Sequence, residues 1–95
     1  MYEIHKPDFI IDGKPDVDTI ENWVEKFFGI LMHTFNGFYS KLDPQEMIVR
    51  LSEIPFAQLC EQQLFGQSPQ VIKIGVKKIN KLAEEEIQRI RAYIE

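Results

Sequence analysis

The feature that most restricts the fold of this 95-residue chain is the placement of Pro44, Pro55, Gly66 and Pro69 in its second half. Proline is tolerated in a helix only in the first turn, where its missing N–H is not needed, and elsewhere its ring clashes with the preceding turn. Asp43-Pro44-Gln45-Glu46 supplies a capping oxygen, that proline and a carboxylate able to reach back, in the order a helix start requires. A helix is therefore expected to start at Pro44, to turn Met47 or Ile48, Leu51 and Ile54 inward, and to end or kink at Pro55. Phe56, Leu59, Cys60 and Leu64 mark a short helix that stops at Gly66, and Ser68-Pro69 opens the last one.

The last segment carries Ile72, Val76, Ile79, Ala83, Ile87, Ile90 and Ile94, with steps of three and four that trace one face of a nearly straight helix. Gly75 is the main place where it could break in two, and Asn80 a lesser one. Upstream, Asp16 or Asp18 can cap a helix, and Ile20, Val24, Phe27, Leu31, Phe35 and Phe38 follow at helical spacing. Trp23, Phe28, Ile30 and Met32 widen that face until little polar surface remains, so this helix belongs at the centre of the core or against a second chain. Gly29 offers a point of close approach, and Asn36-Gly37 is the natural stop, with Phe38-Tyr39 staying packed beyond it. Residues 1–16 hold two prolines and Asp12-Gly13 and read as an extended arm with turns. Its apolar residues Tyr2, Ile4, Phe9, Ile10 and Ile11 either fold back over the chain's own core or embrace a partner subunit, and short strands at Ile4 and Ile10 fit the pattern.

The expectation is thus an all-α single domain over 1–95: an arm at 1–16 and a small bundle of four to five helices at 17–95. The length leaves room for one domain only, and so small a core makes a homodimer a natural way to bury more surface. The longest apolar runs, such as Phe9–Ile11, are far short of the roughly 20 residues that cross a bilayer. One cysteine cannot form an internal disulfide, and the start lacks a basic segment followed by an apolar run, so a cytoplasmic protein away from membranes is expected.

Charge is unevenly divided. Residues 1–66 hold five bases and eleven acids, net −6, whereas residues 67–95 hold six bases and four acids, net +2. The overall −4 argues against wholesale nucleic-acid binding and places any polyanion contact in the last third. There Lys73, Lys77 and Lys81 recur every four residues, with Lys78 beside them, forming a basic ridge. Such a ridge suits phosphates or an acidic partner, and it is equally what an exposed helix face opposite an isoleucine stripe looks like. It lacks the arginines and interleaved aromatics favoured by nucleic-acid readers.

Side chains able to make or break bonds are not grouped. His5 and His33 have no neighbouring His or Cys at ligand spacing, Cys60 falls where burial is expected, and the five glycines are too scattered for a phosphate-cradling loop. Glu84, Glu85 and Glu86 read as a solvated face. We therefore expect no enzyme, no catalytic residue, no cofactor and no metal.

One resemblance is drawn from particular residues. Phe27-Phe28, Leu31 and Thr34-Phe35 on a first helix, then Asp43-Pro44-Gln45-Glu46, then a last helix whose stretch Val71–Leu82 (VIKIGVKKINKL) holds a glycine, together resemble a segment of the replicative helicase loaders of lambdoid phages, the replication protein P type. The likeness covers the run Val24–Leu82. The chain has LAEEEIQRIRAYIE where that family typically has a proline-containing segment. The resemblance implies a phage or mobile-element protein that binds a replicative helicase without catalysing a reaction. The functional expectation is a non-enzymatic helical protein-interaction module. The alternative is a small oligomeric nucleic-acid-binding regulator that presents Lys73, Lys77, Lys78 and Lys81.

Overall fold

The computed structural model describes residues 5–94. Among them are a two-stranded hairpin, β1 (Ile10–Ile11) and β2 (Lys14–Pro15), and four helices: α1 (Val17–Tyr39), α2 (Pro44–Glu53), α3 (Phe56–Gln63) and α4 (Pro69–Ile94). The architecture is mostly all-α.

Local chemistry sets the helix ends in the second half of the chain. Asp43 Oδ1 accepts from the Glu46 N–H at 2.8 Å, and Pro44 occupies the first turn. The Glu46 side chain does not reach back to the cap; it pairs with Arg50 at 3.2 Å, one turn on. Ile54 is extended and Pro55 separates α2 from α3, while Gly66, with positive φ, follows α3. The Ser68 hydroxyl accepts from Val71 N–H at 3.3 Å at the start of α4. Removing the Asp43 cap should cost about 1 kcal/mol. Asp43→Ala is therefore expected to lower the urea midpoint of the whole domain, and Asp43→Ser to recover most of the loss.

Three helices pack on α4. Val24 of α1 lies in van der Waals reach of Gly75, and Glu25 pairs with Lys78 at 3.2 Å. One turn along α1, the Phe28 ring meets Phe56 with centroids 5.4 Å apart, and Phe56 lines a groove together with Asn80, Ala83 and Ile87 of α4. The two long helices therefore run in the same direction. Cys60 and Leu64 of α3 approach Gly75 while Phe56 lies further along α4, so α3 runs the opposite way. The result is a three-helix bundle whose middle member is broken into α2 and α3 at Pro55. It is elongated, 46 × 29 × 17 Å, and its radius of gyration of 14.5 Å exceeds the roughly 12 Å usual at this length.

Several expectations change with the tertiary arrangement. Helix α4 is continuous through both Gly75 and Asn80. Gly75 serves as the point of close approach: a Cβ there would lie 2.6 Å from Leu64 Cδ1 and 3.4 Å from Cys60 Sγ. Gly29, to which that role fell in the sequence, is exposed with nothing near it. In the first half of α4 the fully buried line is Val71, Gly75 and Ile79, with Ile72 and Val76 half-buried at its edge. The stripe rotates toward Val71 because the bare backbone of Gly75 is where α1 and α3 can come closest.

Helix α1 buries Ile20, Trp23, Val24, Phe27, Phe28 and Phe35, but it runs through Asn36-Gly37 to Tyr39, and Phe38 is exposed. The arm folds back: Phe9 is fully buried, its ring edge-on to Trp23 at 5.7 Å, and Asp16 N–H donates to Phe9 O at 2.8 Å. Asp12 and Gly13 both have positive φ, the mirror-type turn that matches strand twist. The apolar residues Tyr2 and Ile4 lie outside the described residues.

Candidate interaction surfaces

Lys73, Lys77 and Lys81 are exposed on the side of α4 opposite Val71, Gly75 and Ile79, rising about 6 Å per step. Lys78 is placed differently. It points toward α1, its side chain is only 14% exposed, and its ammonium is neutralised by Glu25. Among the described residues the ridge therefore consists of three ammonium groups without an acidic partner, and Lys78 acts as a link between α1 and α4. Beyond Lys81 the sign reverses, for Glu84 and Glu85 continue the same surface and with Lys81 and Gln88 line a shallow depression. The basic run spans just over two turns, about 12 Å.

Cys60 is fully buried against Gly75. Burial, reinforced by the neighbouring Glu61 carboxylate, pushes its thiol up to about 11, so it stays protonated at neutral pH and is a poor nucleophile. His5 and His33 are both exposed. Among the described residues, no three His, Cys, Asp or Glu side chains converge in a way that could hold a metal ion. A depression of about 380 Å³ between the arm and α1 is lined by His5, Pro7, Thr19, Asn22, Trp23 and Lys26. The Trp23 indole N–H is buried and has no acceptor among the described residues. A groove of about 420 Å³ between the α2–α3 joint and α4 is floored by Leu51, Phe56 and Ile87 and rimmed by Asn80, Glu84, Gln88 and Arg91.

The most exposed large hydrophobics are aromatic, beside the half-exposed Ile11, Val17 and Val49. Phe65, just after α3, is 88% exposed beside Gln62, Gln63 and Gln67. At the other end of the bundle Phe38 is 79% and Tyr93 85% exposed, with Tyr39 and Ile94 partly so. The Tyr39 ring bridges inward and outward, 4.9 Å from Phe35 and 6.4 Å from Phe38. Helical spacing marks Phe38 as a residue of the packed face, which concealed it as a surface feature in the sequence. Among the described residues no helix is long and apolar enough to cross a membrane. No protein-family model, curated protein or solved structure matches the chain.

Proposed function

We propose that this chain is a non-enzymatic helical protein-interaction module, encoded by a phage or other mobile element and directed at replication machinery through a replicative helicase. The observation that carries the contact role is the outward display of Phe38, Phe65 and Tyr93 at the ends of the bundle. Aromatic rings bring large apolar area at low entropic cost, and exposed apolar patches mark surfaces that another protein covers. The helicase as target is suggested by the resemblance of Val24–Leu82 to the lambdoid loaders. Immobilised chain should retain a purified hexameric replicative helicase at low salt, and a Phe65→Ser, Phe38→Ser variant should retain less. A clean negative at low salt removes the helicase from the proposal.

A second reading, nucleic-acid binding by a small regulator, is favoured by the exposure of Lys73, Lys77 and Lys81. Three phosphate contacts predict that log affinity for duplex DNA falls with log salt at a slope of about −2.7. Replacing all three lysines by glutamate should abolish that binding. Salt-independent or unchanged binding in the triple variant would take the ridge out of the account.

A further inference from the structure

We infer that the open aromatic end of the bundle, built from Phe38, Tyr39, Tyr93 and Ile94, is a self-association surface that a second copy of this chain covers, end against end about a two-fold axis. The inference rests on the reading of the chain as a contact module, and it is independent of the helicase. In α1 the inward stripe passes from Phe35, which is buried, to Phe38, which is not. In α4 it passes from Ile90, which is buried, to Tyr93, which is not. Each aromatic lies three residues past the last buried position, and Tyr93 stands five full turns from Gly75, on the side of α4 that faces α1 and α3. Both helices therefore carry their core-facing stripe one step beyond the point where packing within the chain ends.

The two steps fall at the same end. Helices α1 and α4 run in parallel with Val24 at the level of Gly75 and Glu25 at the level of Lys78. That register carries Phe38 to the level of residues 89–91, about one turn short of Tyr93. The exposed parts of the four side chains sum to roughly 500 Å², taking about 200 Å² for a whole aromatic side chain. Two copies covering all of it would bury about 1,000 Å², the minimum for a specific interface and well below the area of an obligate one.

Charge favours a like partner over an oppositely charged one. Around the patch Lys41 and Asp43 sit on the same short loop, Glu86 is hydrogen-bonded to Arg89, and Arg91 and Glu95 add one charge of each sign close by in sequence. Such mixed charge does not repel its own copy. Under two-fold symmetry the Lys41 of each subunit can face the other's Asp43, and the contact closes at two subunits without growing into a fibre. Phe65 does not suit this role, since it stands alone among glutamines at the opposite end.

The test is sedimentation velocity on the full chain from about 1 μM to about 1 mM. The mass should rise from 11.2 kDa toward twice that value with concentration. Phe38→Ser, Tyr93→Ser together should weaken association by roughly a hundredfold or more. Both side chains are exposed, so the helical circular dichroism should not change, and Phe65→Ser should leave the mass curve as it is. A monomer throughout, or a dimer unaffected by the double variant, overturns the inference. A dimer lost in the double variant upholds it even where no helicase is retained. Helicase retention by a chain that is monomeric throughout refutes self-association and leaves the contact reading standing.

Discussion

Gly75→Leu is expected to lower the stability of this domain by roughly 3 kcal/mol or more, the upper part of the range for overpacking a closed core. A domain of this length has about 5–14 kcal/mol in total, so the loss is a large fraction of its stability. The reason is geometric: even the first added carbon would lie 2.6 Å from Leu64 Cδ1, with Cys60 Sγ at 3.4 Å and Val24 Cγ2 at 3.7 Å. Leu64 is fully buried and has no free side on which to turn away. The milder Gly75→Ala sets the same clash against the better helix propensity of alanine, about 1 kcal/mol. Leu64→Ala should accordingly cost less in the Gly75→Ala background than in the parent chain, a positive coupling that a double-mutant cycle in urea reads directly. Gly29→Ala is the control. Its helix is the same kind of surrounding, but the added carbon meets nothing, so stability should rise by about 1 kcal/mol. If the two glycines respond alike, the close approach at Gly75 is wrong.

Phe9→Ala should cost roughly 3 kcal/mol, because it empties a fully buried aromatic site and removes the edge-on contact to Trp23. Trp23 is the chain's single tryptophan, and its emission should shift to the red as the cover is lost. Ile11→Ala, on the exposed strand of the same hairpin, should cost less than about 1 kcal/mol. The comparison separates two roles for the arm. An arm that stabilises its own core lowers the unfolding midpoint at every protein concentration when Phe9 is truncated. An arm that clasped another subunit would show its loss only as a drop in oligomer mass, and that result would sink the present account of Phe9.

The boundaries of α2, α3 and the start of α4 were readable from residues 43–69, because caps, prolines and a positive-φ glycine act within four residues of themselves. The outward position of Lys73, Lys77 and Lys81 was readable for the same reason, since it depends only on their spacing from the apolar positions of one helix. Lys78 was not, for its partner Glu25 sits on another helix and only parallel packing brings the two together. Phe38 was misplaced by the same limit. Periodicity identifies the side of a helix that seeks cover, yet it carries no information about how far along that side cover is supplied.

The two glycines show most clearly where local information stops. Gly29 and Gly75 are each flanked by apolar residues within a long helical pattern, and nothing in their neighbourhoods ranks one above the other. Helix lengths, caps and the break at Pro55 follow from short-range sterics and hydrogen bonding, so the amino-acid order alone suffices for them. Which glycine admits another backbone, which turn of α4 faces Leu64, and which aromatics are left in water depend on contacts between residues many positions apart, and these exist only once α1 and α3 have docked on α4.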